Sequence, residues 1–164
     1  MKKFFFTAAA IVCAVLLSVS LTSCGNDDDS DLQMTTMYHY GGTTQNEYTY
    51  FSHAESGDIT KSTYEALYKE LKTILAGEEW NVKYTKSNQD EVLKREDENA
   101  RKKYATMESK VMDFKKKIDN LDKTLDKNKF DFSLEVVMSC KCELPTGTKT
   151  LESRMISIKY QGIQ

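Results

Sequence analysis

The sequence predicts an α+β fold: a two-layer sandwich in which a mainly antiparallel sheet packs on two helices, the second of them long. Residues 130–142 alternate apolar and polar side chains, which is typical of a strand with one buried face. Residues 60–76 and 89–127 repeat apolar side chains every three or four positions, which predicts amphipathic helices. A turn signal at 144–148 precedes a last strand, so the two final strands are expected to pair antiparallel.

The first part of the domain is predicted to be a β-hairpin. Residues 34–40 and 47–53 are rich in Thr, Tyr and Phe, which favour strands. They flank the sequence Gly-Gly-Thr-Thr-Gln-Asn at 41–46, whose composition is typical of a turn. Together with the later elements this hairpin gives the predicted order ββαβαββ.

The first helix, at 60–76, carries local signals at both ends. Ser62 and Glu65 have the spacing of a capping box, and Gly77 is a suitable residue to end the helix. A short half-buried strand is predicted next, because the apolar residues Trp80, Val82 and Tyr84 alternate with polar ones.

The second helix, at 89–127, is predicted to extend roughly 55 Å at about 1.5 Å per residue, well beyond a small sheet. Either it breaks, or it packs on the first helix and the sheet, or its overhang pairs with another copy. The packing within the chain is favoured. From Ala100 onward its apolar residues follow heptad spacing. The seam consists of Leu93, Ala100, Tyr104, Met107, Val111, Phe114, Ile118, Leu121 and Leu125.

Length and charge narrow the class of protein. The chain has 164 residues, of which 40% are apolar and 29% charged, so residues 34–164 are expected to form a single globular domain. The formal net charge is −2. A mildly acidic chain lacks the basic surface of a nucleic-acid-binding protein.

The amino terminus has the features of a secretory leader. Lys2 and Lys3 precede an apolar run from residue 4 to residue 21, and Leu21-Thr22-Ser23-Cys24 follows. These four residues resemble the lipobox of bacterial lipoproteins. The resemblance implies that residues 1–23 are a signal peptide and that Cys24 receives a diacylglyceryl group and, on its new amine, a fatty acyl chain such as palmitate. The alternative is an uncleaved signal anchor.

Residues 24–33 are expected to form an acidic, solvated tether. Its acidic residues resemble the export signal of surface lipoproteins of Bacteroides-type bacteria, which implies an outer-membrane protein at the cell surface. The alternative location is the periplasmic face of the outer membrane. The residues that carry the resemblance are Asp27, Asp28, Asp29 and Asp31.

Two cysteines and two histidines are the candidates for other chemistry. Cys140 and Cys142 lie on the same face of the predicted strand and continue its apolar stripe, so core packing is the favoured interpretation. A strained disulfide and a metal or redox site are the alternatives. His39 and His53 could approach each other across the hairpin, but their spacing does not specify a metal site. The sequence contains no G-x-S-x-G nucleophile motif, no P-loop and no H-E-x-x-H zinc-protease motif.

The predicted hairpin is rich in tyrosine, and tyrosine rings provide contact area at low entropic cost. A binding face made by Tyr38, Tyr40, Tyr48 and Tyr50 is therefore a hypothesis, and packing of half of these rings onto the helices is the alternative.

The sequence thus predicts a non-enzymatic binding or structural module, anchored by lipid and without a further cofactor, whose partner is an unspecified protein or glycan. A scaffold that self-associates through residues 89–127 is the second hypothesis. A metal-dependent or hydrolytic enzyme is the third.

Overall fold

The computed structural model describes residues 32–51, 58–123 and 130–162. It confirms the predicted α+β class: one four-stranded antiparallel sheet is covered on one face by two helices, the second of them long. The strands lie side by side in the order β2-β1-β3-β4. In chain order the elements are β1 (Met34–Phe51), α1 (Asp58–Leu75), β2 (Glu78–Tyr84), α2 (Gln89–Asp119), β3 (Phe130–Leu144) and β4 (Gly147–Gln161).

The predicted N-terminal hairpin is wrong. Residues 34–51 form one continuous strand of 18 residues, so the observed order is βαβαββ. Gly41 and Gly42, which the prediction placed in the turn, instead allow α1 to approach the strand. A Cβ atom on Gly42 would lie 2.6 Å from Leu75 Cδ2 and 3.0 Å from the Val137 carbonyl oxygen. The end of the predicted second arm, residues 52 and 53, is outside the described residues.

A β-bulge interrupts β1. Gln45 pairs with Glu135 and Tyr48 with Ser133, so two residues of β1 oppose one residue of β3. Asn46 adopts a positive φ of 50° at this point, and its side-chain amide donates a hydrogen bond of 2.7 Å to Glu135. The extra residue reverses which side chains of β1 face the helices beyond the bulge.

The core lies between the helices and one face of the sheet. β3 alternates as predicted, with its even-numbered residues from Phe130 to Cys142 buried and Val137 on the other face. We call the second, uncovered face of the sheet the open face. Its side chains on β4, among them Met155, are exposed.

Helix α2 has 31 residues and ends at Asp119, eight residues before the predicted end. Its predicted seam packs inside the domain, which confirms the packing within the chain. Leu121 is half-buried beyond the helix end, and Leu125 is outside the described residues. The buried seam residues of the helix are Ala100, Tyr104, Met107, Val111, Phe114 and Ile118.

The last two strands form the predicted antiparallel hairpin. Leu144 pairs with Gly147, which leaves Pro145 and Thr146 as a two-residue turn. Three ion pairs join β4 to α2: Arg101 contacts Glu152, Arg154 contacts Glu108, and the Lys149 ammonium lies 2.7 Å from the Asp97 carboxylate.

Candidate functional site

The sheet has an incomplete edge along β1. β2 pairs with β1 only from Met34 to Tyr40, whereas β3 pairs with β1 along nearly its whole length. Among the described residues, nothing pairs with the outer side of β1 beyond Tyr40. An edge strand directs the N–H and C=O groups of every second residue outward, where they can accept another strand. We call the outer side of Gly42–Phe51 the free edge.

One end of the free edge is closed by the connection from α1 to β2. Gly77 has a φ of +65°, and its backbone presses on β1. A Cβ atom at Gly77 would overlap the Tyr40 carbonyl oxygen and lie 2.7 Å from Gly41 Cα. Only glycine fits this position, because it combines a left-handed backbone with direct backbone contact. The free edge therefore begins next to Gly77 and runs away from β2.

On the helix side of the free edge there is a cavity of about 460 Å³ between β1 and the last turns of α1. The hydroxyl groups of Thr44 and Tyr68 both donate to the Glu47 carboxylate, and their oxygens are 3.1 Å apart. The Lys72 ammonium lies 4.7 Å from the centre of the Tyr68 ring, in a cation–π contact. Leu75 forms an apolar wall of this cavity.

On the open face a second cavity, of about 610 Å³, reaches the same part of β1. Its walls include His39, Ser139 and Lys141, so it is more polar than the first. His39 Nε2 lies 4.0 Å from a Glu143 carboxylate oxygen and makes no hydrogen bond to the described residues. Four residues line both cavities, which therefore meet at the backbone of the free edge. They are Gly42, Thr43, Leu75 and Ala76.

Aromatic side chains are exposed along the far half of the free edge. Tyr48 is 58% exposed, Tyr50 45% and Phe51 37%. Tyr48 and Tyr50 lie on the open face, opposite Ser133 and Asp131 of β3. The Phe51 ring lies on the helix side, 6.0 Å from the Tyr64 ring and 6.2 Å from the Phe130 ring. We call Tyr48, Tyr50 and Phe51 the aromatic patch.

The four tyrosines of the predicted binding face do not share one surface. Tyr38 is fully buried, stacks on Trp80 with ring centres 5.6 Å apart and donates a 2.8 Å hydrogen bond to Asp97. Burial and the nearby Asp97 carboxylate raise the pKa of Tyr38 well above its usual value. Tyr40 is half-buried on the same face, with its ring steeply inclined to the Trp80 ring and the two ring centres 6.4 Å apart. Of these four tyrosines, only Tyr48 and Tyr50 are exposed, and both lie on the open face.

Cys140 and Cys142 are buried free thiols, which confirms the core-packing interpretation over the disulfide. Burial raises the pKa of Cys140 to about 11, and it also raises the pKa of Cys142. Both side chains are therefore neutral thiols at physiological pH, not reactive thiolates. Among the described residues, no group of three or more His, Cys, Asp or Glu side chains is arranged to hold a metal ion. His53 lies outside these residues.

The residues of the predicted anchor, Cys24, Asp27, Asp28, Asp29 and Asp31, also lie outside the described residues. Within the described ranges, no helix combines the length and apolarity needed to cross a membrane. Comparison of the chain with protein-family models, with curated proteins and with solved structures finds no match.

Proposed function

We propose that this chain is a lipid-anchored protein of the outer membrane, exposed at the cell surface, that acts as a non-enzymatic binding module. Its binding site is the free edge of β1 together with the aromatic patch. The lipid would be carried by Cys24, and the acidic tether of residues 24–33 would direct export to the outer face. Two or more acyl chains would hold the domain stably at the membrane.

One observation carries the binding function: unpaired backbone and exposed aromatic surface coincide. Among the described residues five large apolar side chains are exposed, and three of them form the aromatic patch. Large exposed apolar groups mark interaction sites in soluble domains. An unpaired strand edge is an independent reason for association, so the same ten residues offer two kinds of contact.

The position of the site relative to the proposed anchor supports this function. Met34 begins β1 ten residues after Cys24, whereas the aromatic patch lies at the other end of the strand. At about 3.3 Å per residue, the strand separates these two ends by on the order of 50 Å. An anchor at Cys24 would therefore leave the free edge accessible to partners outside the membrane.

The anchor is tested by Cys24→Ser and by replacement of the four tether aspartates with asparagine. Cys24→Ser is expected to abolish incorporation of labelled palmitate and to release the domain from the membrane fraction. The asparagine variant is expected to remain lipidated but to become resistant to protease added to intact cells. Unchanged membrane retention of Cys24→Ser would contradict the anchor.

Binding is tested by a photo-reactive phenylalanine analogue placed at Tyr48 in the whole, membrane-anchored chain. The control carries the analogue at Lys102, which is exposed on α2, away from the free edge. We expect a defined cross-linked product from position 48 and none from position 102. Equal yields from both positions, or no product from position 48, would argue against a binding site at the free edge.

A further inference from the structure

We propose that the ligand of the free edge is an extended polypeptide segment of a partner protein, which adds to the sheet as a strand in line with β2. This inference rests on the proposed binding function and names its ligand class. β2 already pairs antiparallel with residues Met34 to Tyr40 on the same side of β1. An added strand would continue this established pairing along the second half of the edge.

The backbone defines where the added strand begins. The Gly77 backbone blocks pairing beyond Gly41, and the bulge at Asn46 interrupts the strand four residues past Gly42. Gly42 to Gln45 is thus the first segment of the free edge available for pairing. Main-chain hydrogen bonds provide affinity that depends little on sequence, and side-chain pockets provide specificity.

The two cavities supply such pockets. Successive side chains of a strand point to opposite faces of the sheet. A strand added at Gly42 and Thr43 would therefore direct alternate side chains into the helix-side cavity and the open-face cavity. The first has an apolar wall at Leu75 and Ala76, and the second offers His39, Ser139 and Lys141. We expect a ligand with apolar residues toward α1 and polar residues toward the open face.

The position of α1 favours a single added strand over a second copy of the chain. Three residues of α1, namely Tyr64, Tyr68 and Leu75, contact the helix side of β1, so α1 lies above this strand. If two copies paired through their free edges, the β1 strands would be about 4.8 Å apart. In an antiparallel pairing both α1 helices would lie on the same side of the joined sheet, above strands much closer together than the 8–10 Å that packed helices need. A lone strand brings no second helix and avoids this conflict.

A third cavity, of about 720 Å³ between α1 and α2, is larger than either cavity of the free edge but is a poorer candidate. An ion pair of 2.6 Å between Lys117 and Glu70 joins its two walls. Its walls are helices, whose backbone groups are already hydrogen-bonded, so it lacks the unpaired backbone of the free edge. Ala66 lines this cavity, so a larger side chain at position 66 can block it without changing the free edge.

The test uses a displayed library of random decapeptides, selected on the whole chain in detergent micelles. Ala76, exposed and shared by both cavities of the free edge, is replaced by Trp to fill them. The matched controls are Ala105→Trp, on an exposed position of α2, and Ala66→Trp, in the other cavity. We expect selected peptides to bind the wild type and both controls equally, and to bind Ala76→Trp at least tenfold more weakly.

Hydrogen exchange locates the peptide without any substitution. We expect a selected peptide to slow amide exchange within Gly42–Gln45 at least tenfold. Protection confined to α1 and α2, undiminished binding to Ala76→Trp, or failure to select any peptide would overturn strand addition. Cross-linking from Tyr48 in the absence of peptide binding would leave the proposed binding function standing and indicate a ligand of another class, such as a glycan stacked on the aromatic patch. Loss of both signals would overturn both proposals.

Discussion

Replacement of Gly77 by alanine tests whether the connection from α1 to β2 presses on the free edge. An L-residue in the left-handed region costs about 1–2 kcal/mol. The added Cβ would also overlap the Tyr40 carbonyl oxygen and approach Gly41 Cα to 2.7 Å. Both contacted atoms belong to the backbone and cannot rotate away as a side chain would. The strand pairing at Tyr40 must therefore shift. Such overpacking costs about 1–3 kcal/mol more. We expect Gly77→Ala to lower the free energy of unfolding by about 2–5 kcal/mol.

Two further variants separate the backbone conformation from the crowding. Gly77→Asn has a side chain that tolerates a left-handed φ but still carries the Cβ atom, so it should remain destabilised by about 1–3 kcal/mol. Gly147 has a φ of +132°, but a Cβ atom there would meet nothing within 4 Å. Gly147→Ala should therefore show backbone strain alone, about 1–3 kcal/mol.

Urea unfolding measures all three variants, and the single tryptophan, Trp80, reports the transition from within β2. We expect Gly77→Ala to be the most destabilised variant. Gly77→Asn should be less destabilised than Gly77→Ala by about 1–2 kcal/mol, because asparagine avoids the strain of the left-handed backbone. If Gly77→Asn were as stable as the wild type, the left-handed φ alone would require glycine at this position. The contact that closes the free edge would then be refuted.

Two other predictions concern the buried polar groups. Tyr38→Phe should lower the free energy of unfolding by about 1–2 kcal/mol, because it removes the hydrogen bond to Asp97 and keeps the ring. The exposed control Tyr48→Phe should stay within about 0.5 kcal/mol in the same urea assay, and equal effects would contradict the difference in burial. Alkaline pH should destabilise the fold, because burial raises the pKa of Cys140 from 9.0 to about 11 and that of Tyr104 from 10.0 to about 12. The unfolded chain loses these protons first, so the stability present below pH 9 is lost as pH rises to 12, by up to about 1.4 kcal/mol per pH unit for each group. A thermal midpoint constant across this range would contradict the prediction.

The elements that the sequence predicted well are those in which one apolar period repeats many times. β3 alternates over thirteen residues from Phe130, and α2 repeats its seam over most of its length, so a single misleading residue does not change the interpretation. β1 lacks this redundancy. Gly41 and Gly42 are typical of a turn, but here their lack of side chains admits α1. The contact depends on Leu75, more than thirty residues away, and local sequence carries no sign of it.

The free edge could not be predicted from the sequence, because it depends on where β2 stops relative to β1. The seven residues of β2 pair with the first seven residues of an eighteen-residue strand, and the remainder is unpaired among the described residues. The hairpin prediction could not reveal this difference in length, because it divides β1 into two short strands that pair with each other. The tyrosine-rich composition predicted a binding face in this part of the chain, but it did not separate the buried rings from the exposed ones.

The bulge at Asn46 explains that separation. Before it, the even-numbered residues of β1 face the helices, as Tyr38 and Tyr40 do. An uninterrupted strand would direct Tyr48 and Tyr50 the same way, because their numbers are also even. The one extra residue reverses the alternation, so Tyr48 and Tyr50 reach the open face and Phe51 turns toward α1. The same bulge limits uninterrupted pairing to Gly42–Gln45, and bulges are one of the devices by which edge strands avoid unspecific strand addition. A single extra residue therefore both exposes the aromatic patch and limits the segment at which the proposed strand could pair.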